Sequence, residues 1–218
     1  MKYYPISLDI SNKRCAVVGG GEVAERKVRR LLDCGARVTV VGKKLSPNLR
    51  ALREARKIEH VASDYKAEHM DDLFLVIGAT DSSRVNRRVY RDAKQKGILV
   101  NVVDDPEHCD FILPSLLERG DLTIAVSTGG KSPALAKKLR MELEERYGSE
   151  YDILIRIMGI LRKRVIRKGR ISGENRKLFE AVVNSDVLEL IRARDWEGVR
   201  KRIEELTGER IADFITGE

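Results

Sequence analysis

The chain has 218 residues, enough for one sizeable core or for a core domain with a smaller appendage; 42% are hydrophobic and 35% charged, the composition of a soluble globular protein with more charge than the usual quarter or so. A formal net charge of +8 fits either a basic solvated surface or an anionic partner such as a nucleotide, a polycarboxylate or nucleic acid. Three widely spaced cysteines (Cys15, Cys34, Cys109) exclude a disulfide framework and point to a reducing, cytoplasmic setting, while runs such as LFLVIGA are too short to span a bilayer and MKYYPISLDI lacks a signal-peptide core.

The first hundred residues alternate strand and helix. CAVVGG (15–20) reads as a buried parallel strand. A helix follows, with Ala24, Val28, Leu31 and Leu32 on one face and Gly35 as its stop. RVTVVG (37–42) is a second strand. SPNLRALREARK (46–57) opens a second helix with Ser46 as N-cap and Pro47 at the first position. KIEHVAS is a short third strand and DDLFLVIGATD (71–81) a fourth, apolar on both faces. Residues 82–96 form a helix anchored by Val85, Val89 and Ala93 and stopped by Gly97; GILVNVVDD is the fifth strand. This alternation implies an α/β domain with a parallel sheet covered on both faces.

The pattern then changes. Residues 111–128 hold two strand-like runs joined at Arg119-Gly120-Asp121, an antiparallel pair, and 129–148 a helix with Ser132 as N-cap. Residues 151–166 are apolar over most of a helix's girth, which fits either core packing or, as the preferred reading, a subunit interface. The remainder reads as short helices separated by Gly169, Gly173 and Gly208. The expected organisation is a Rossmann-like domain over 1–112, a central dimerisation segment over 113–148 and a helical region over 149–218. The basic stretch near 162–170 comes with no nucleic-acid motif, so no nucleic-acid partner is expected.

VVGGGEVAERK places Gly19, Gly21 and Ala24 in a G-x-G-x-x-A pattern between a predicted strand and a predicted helix, the context in which that pattern binds a dinucleotide. Gly19 permits the tight turn, Gly21 lets a pyrophosphate approach the backbone, and Ala24 lets the helix pack close. The helix N-terminus at Glu22, Val23 and Ala24 presents free N–H groups to the anion. An acidic residue is expected at the end of the second strand to hold the adenine ribose; Gly42, Lys43 and Lys44 stand there instead. Either the cofactor contacts backbone or the lysines accept a 2′-phosphate, leaving NAD and NADP both open. Thr80 and Asp81 follow the fourth strand, where cofactor contact and helix capping are compatible roles.

Four motifs in order, VVGGGEVAERKVRRLL, GATDSSRVN, NVVDDPEHCDFILPS and IAVSTGGKSPALAKKLR, resemble the precorrin-2 dehydrogenase family, the dehydrogenase/ferrochelatase portion of siroheme synthase, through residue 148 or so. The helical tail resembles the family more loosely, and no methyltransferase domain is seen, as in the stand-alone form. The resemblance implies NAD-dependent oxidation of precorrin-2 to sirohydrochlorin, in some members insertion of Fe²⁺ at the same site, and a homodimer interlocked through the central segment.

That resemblance orders the crowded loop NVVDDPEHCDFILPS. Oxidation takes a hydride and a proton, and chelation takes two pyrrole protons, so a carboxylate beside the nicotinamide serves either step. The family's catalytic aspartate matches Asp104, expected to close the fifth strand, with Asn101 and Val102 at the cofactor through backbone contacts. Asp105 is read as a turn residue before Pro106, Glu107 as solvated, His108 as a surface histidine, and Cys109 and Asp110 as structural. One Cys beside one His lacks the spacing of a metal cage, so no protein-held metal is expected. STGGKSP offers Ser127, Thr128, Gly129 and Lys131 as an anion pocket for substrate carboxylates, against a plain turn and N-cap. A rival reading is an NAD(H)-binding regulatory module without catalysis, told apart by turnover.

Overall fold

A computed structural model of the chain describes residues 2–167 and 172–211. Two compact units divide at Leu113 and Pro114.

The first unit holds five strands: β1 (Arg14–Val18), β2 (Arg37–Val41), β3 (Ile58–Val61), β4 (Leu75–Gly78) and β5 (Leu99–Val102). They form one parallel sheet in the order β3-β2-β1-β4-β5. Period-two alternation divides its faces. Cys15 and Val17 of β1 pack in one core with Ala24, Val28 and Leu31 of α1 (Glu22–Asp33) and Leu49 of α2 (Pro47–Glu54). Ala16 and Val18 face the other core, with Val89 and Ala93 of α3 (Ser83–Lys96). The central strands β1 and β4 are buried on both sides, hence their apolar runs, whereas edge strand β3 exposes Glu59.

Local chemistry sets the helix ends. Ser46 accepts the Leu49 N–H at 3.2 Å to start α2, and Ser82 accepts that of Val85 at 3.4 Å to start α3. Gly97, at φ +67, ends α3 in the left-handed conformation that costs glycine little. Strand β4 is shorter than the apolar run 71–81 suggests: Asp72 already takes φ 59, and pairing with β1 runs only from Leu75 to Gly78.

The second unit opens with the antiparallel pair β6 (Ser115–Arg119) and β7 (Leu122–Val126), turning at Gly120. Then come α4 (Pro133–Arg146), α5 (Glu150–Arg167), α6 (Ser172–Val183), α7 (Val187–Arg192) and α8 (Trp196–Thr207). Leu154, Ile157, Leu161 and Val165 of α5 are buried, and the first three share a core with Val182, Val187, Val199 and Ile203. Intra-unit packing therefore occupies the face expected to meet another subunit. Gly173 lies inside α6 instead of separating helices, and the breaks fall at Asp186 and at Arg194-Asp195, with Arg194 at φ 57. Gly208 ends α8 as expected; Gly169 lies outside the described residues.

Candidate functional site

Strand order reverses at β1, whose neighbours are β2 and β4, and ligands of open α/β sheets bind at the carboxyl ends beside such a switch point. A crevice of about 380 Å³ opens there, lined by Val23 at the start of α1, Thr80 and Asp81 after β4, and Val102, Asp104 and Asp105 after β5.

The three glycines of the first turn have different tasks. Gly19 sits at φ +125, and a Cβ there would overlap the Ala79 carbonyl. Its smallness lets the β4–α3 loop cross the turn. A Cβ on Gly20 would overlap the Lys44 carbonyl. At Gly21 a Cβ would meet nothing within 4 Å, so the space above it stays open for a ligand. Gly21 also caps α1 without a side-chain hydrogen bond. The first N–H groups of a helix have no intrahelical acceptor, so Glu22, Val23 and Ala24 offer donors and the positive end of the helix dipole beside open space. These residues fit a dinucleotide pyrophosphate.

The next loop is tied to this turn. The Glu25 carboxylate accepts the Ser46 hydroxyl and the Asn48 amide, each at 2.8 Å, and pairs with Arg29 at 3.1 Å. The hydroxyl bond, followed by those from Asn48 and Arg29, holds Glu25 below the usual carboxylate range despite opposing desolvation. Lys43 and Lys44 are exposed on the bound loop. Lys43 pairs with Asp64 at 2.7 Å, and the Gly42 carbonyl lies 2.7 Å from His60 Nε2.

Thr80 is held by Asn86, a residue that sequence reasoning missed. The Thr80 hydroxyl and N–H reach Asn86 Oδ1 at 2.7 and 3.2 Å, and Asn86 Nδ2 donates to the Thr80 carbonyl at 2.9 Å. A buried Asn one turn into an apolar helix face was the available signal, because such an amide needs partners. The Thr80 hydroxyl is thus engaged within the protein, while Asp81 stays exposed at the crevice. The helix cap is Ser82, not Asp81.

After β5 the chain makes a braced turn. Asp104 stands two residues beyond the strand end, exposed, at φ 60, a left-handed conformation Asp adopts more readily than most residues. Asn101 points elsewhere: its amide donates to the Phe111 carbonyl at 2.9 Å. The Cys109 thiol accepts the Val102 N–H at 3.2 Å, and burial pushes its pKa up. Asp110 accepts the Val100 N–H on edge strand β5 at 3.2 Å and pairs with Lys94 at 2.7 Å. Asp105 meets His108 Nδ1 at 2.8 Å. The loop's polar side chains mostly hold its own shape, leaving Asp104 turned to the crevice. Among the described residues, no three His, Cys, Asp or Glu side chains converge as metal ligands.

Lys27, also unforeseen, lies one helical turn beyond Val23 on α1. It is half-buried, and burial, with the neighbouring Arg26, lowers its pKa; Asp104 is the charge that raises it. Ser127, Thr128, Gly129 and Lys131 belong to the second unit. There Thr128 Oγ1 accepts the Ser132 N–H at 3.0 Å, Ser127 Oγ accepts the Gly129 N–H at 3.2 Å, and Lys131 is exposed before α4.

Among known proteins, the family model described as "Putative NAD(P)-binding" matches residues 6–115, and "Sirohaem biosynthesis protein central" matches residues 119–146. Siroheme synthase 1 of Aeromonas salmonicida is 44% identical over 188 residues, covering 86% of this chain and 40% of that protein. Siroheme synthase of Actinobacillus succinogenes is 39% identical over 204 residues, 94% of this chain and 43% of that protein. The chain thus spans about two fifths of the length of these relatives. Among solved structures, "SirC, precorrin-2 dehydrogenase" superposes with a TM-score of 0.79 over 95% of this chain and 100% of that one, at 22% identity, a likeness of fold. The expected α/β fold with a small antiparallel pair and a helical C-terminal region is the observed one.

Proposed function

This chain belongs to the "Putative NAD(P)-binding" family, and we propose that it oxidises precorrin-2 to sirohydrochlorin with NAD as hydride acceptor. The observation that carries the reading is the crevice at the switch point, which Val23, two residues after the unobstructed Gly21, lines together with Asp104. The central-segment match and the siroheme synthase relatives supply the substrate class.

The bound dinucleotide supplies a nicotinamide ring that takes a hydride. The protein's part is placement and proton traffic. The N–H groups of Glu22, Val23 and Ala24 hold the pyrophosphate, Val23 and Val102 give the ring apolar walls, and the Asn86 clamp fixes the Thr80 backbone. Asp104 accepts the proton that a second position of the substrate gives up as the hydride leaves, with the Lys27 ammonium as a neighbouring charge. In the same place Asp104 would take a pyrrole proton as Fe²⁺, a second substrate, enters the ring. The Lys43–Asp64 pair favours NAD, because an accepting lysine for a 2′-phosphate is already partly neutralised. Ser127, Thr128, Gly129 and Lys131 are assigned to substrate carboxylates. The exposed Leu135, Leu139 and Met141 of α4 support a homodimer through the central segment, and three free cysteines support a cytoplasmic setting.

The test is anaerobic. With precorrin-2 and NAD supplied, the wild-type chain should form sirohydrochlorin and NADH, and Asp104→Asn should bind NAD normally yet lose at least about a hundredfold in kcat. NAD binding without reduction by the wild type would sink the assignment; near-normal turnover by Asp104→Asn would remove the base role.

A further inference from the structure

We propose that the cleft between α3 and the 105–108 turn is a carboxylate-binding subsite for the tetrapyrrole, an inference resting on the function proposed above. A cavity of about 400 Å³ lies there, lined by Arg84, Arg87, Tyr90, Arg91 and His108. Positions 84, 87 and 91 recur at i, i+3 and i+7, so one face of α3 carries three guanidinium groups. Arg84 and Arg91 meet no carboxylate among the described residues, and Arg87 bonds only to Ser83 of its own helix. Arg88, the next turn on from Arg84, is paired with Asp92 at 3.7 Å. Like charges at this spacing destabilise a bare helix, and an anion laid over them removes the repulsion.

The far wall belongs to the catalytic turn. His108 contacts Asp105 at 2.8 Å and meets Tyr90 edge-on, ring centroids 4.7 Å apart. Asp105 also lines the dinucleotide crevice, so the two cavities share one turn. Helix α3 links β4 to β5, on the side of the switch point away from β2, where the adenosine half of a dinucleotide belongs. A tetrapyrrole presenting its reacting carbon beside Asp104 would extend peripheral acids toward α3. The planar guanidinium fork suits carboxylates in a way that a lysine ammonium does not.

The probe is uroporphyrin I, a stable porphyrin with eight carboxylates, titrated into the full chain by fluorescence quenching beside a dicarboxylate porphyrin. The wild type should prefer eight acids over two, with affinity falling as salt rises. The triple variant Arg84→Ala, Arg87→Ala, Arg91→Ala should bind uroporphyrin about tenfold or more weakly while its NAD affinity and circular dichroism stay unchanged, and the triple Lys variant should fall between. Equal binding by wild type and triple Ala variant, or a wild type indifferent to acid number, overturns the subsite. Porphyrin binding needs no turnover. A chain that binds through these arginines but never oxidises precorrin-2 refutes the reaction and keeps the subsite; oxidation with an unchanged KM in the triple Ala variant does the reverse.

Discussion

Asn86 and Thr80 are joined by three hydrogen bonds: Oγ1 to Oδ1 at 2.7 Å, the Thr80 N–H to the same oxygen at 3.2 Å, and Nδ2 to the Thr80 carbonyl at 2.9 Å. One buried amide thus fixes both backbone groups of the residue at the crevice mouth. Asn86→Ala strands a backbone N–H and a carbonyl, and should cost about 2–3 kcal/mol by urea denaturation and weaken NAD binding. Thr80→Ala removes the hydroxyl's bonds to Asn86 and to the Ser82 backbone but keeps the two backbone bonds to Asn86, and should cost about 1 kcal/mol. An Asn86→Ala variant with wild-type stability and affinity would show that the clamp is idle.

The glycines of the first turn should separate stability from binding. Gly19→Ala places a methyl against the Ala79 carbonyl at φ +125, and should lose about 2 kcal/mol or more of stability. Gly21→Ala projects its methyl into open space, so its melting temperature should hardly move. Its NAD affinity should drop at least about tenfold, or 1.4 kcal/mol, because the methyl occupies the pyrophosphate's approach. Calorimetric melting and NAD titration of the two variants would check this; reversed phenotypes would contradict the geometry.

Left-handed backbone at Asp104 gives a stability order independent of catalysis. Asp104→Ala should be less stable than wild type by about 1 kcal/mol, since alanine has no polar side chain to ease φ 60. Asp104→Asn and Asp104→Gly should be within a few tenths of wild type or above it. All three should lose oxidation, so the ranking in urea tests the turn while the assay tests the carboxylate.

Lys27 makes a prediction about alkaline pH. Burial, with Arg26, lowers its folded-state pKa from 10.5, so between the folded value and 10.5 the unfolded chain binds the extra proton. Stability therefore rises with pH through that window, and below it the burden of the half-buried charge is fully present. Lys27→Met should stabilise the chain at neutral pH, with the gain shrinking as pH approaches 10.5. Urea midpoints at several pH values provide the check; parallel stability curves would contradict the linkage.

Much of the first unit was legible because its signals are local. Apolar runs mark buried strands, and Ser46 caps the helix that follows as its spacing suggests, as Ser132 does in the second unit. The C-terminal helices were harder. Gly173 falls in the first turn of α6, while among the described residues the breaks at Asp186 and Arg194 carry no glycine or proline. Packing of Phe179 and Val182 of α6 against Val187, Val199 and Ile203 anchors the helix further along.

What the sequence by itself determined is the alternation of strands and helices, the glycine turn after β1 and the acidic segment after β5, since each depends on neighbours within a few residues. Tertiary structure decided which of these meet. Parallel pairing of β1 with β4, and of β4 with β5, lays the Ala79 carbonyl across Gly19 and brings Asp104 within reach of a lysine 77 positions away on α1. It also turns Asn101 and Cys109 inward to brace the loop and sets three arginines of α3 beside His108. The physical reason is that periodicity records which face a residue buries, whereas strand order, fixed by the packing of the whole sheet, records what that face is buried against.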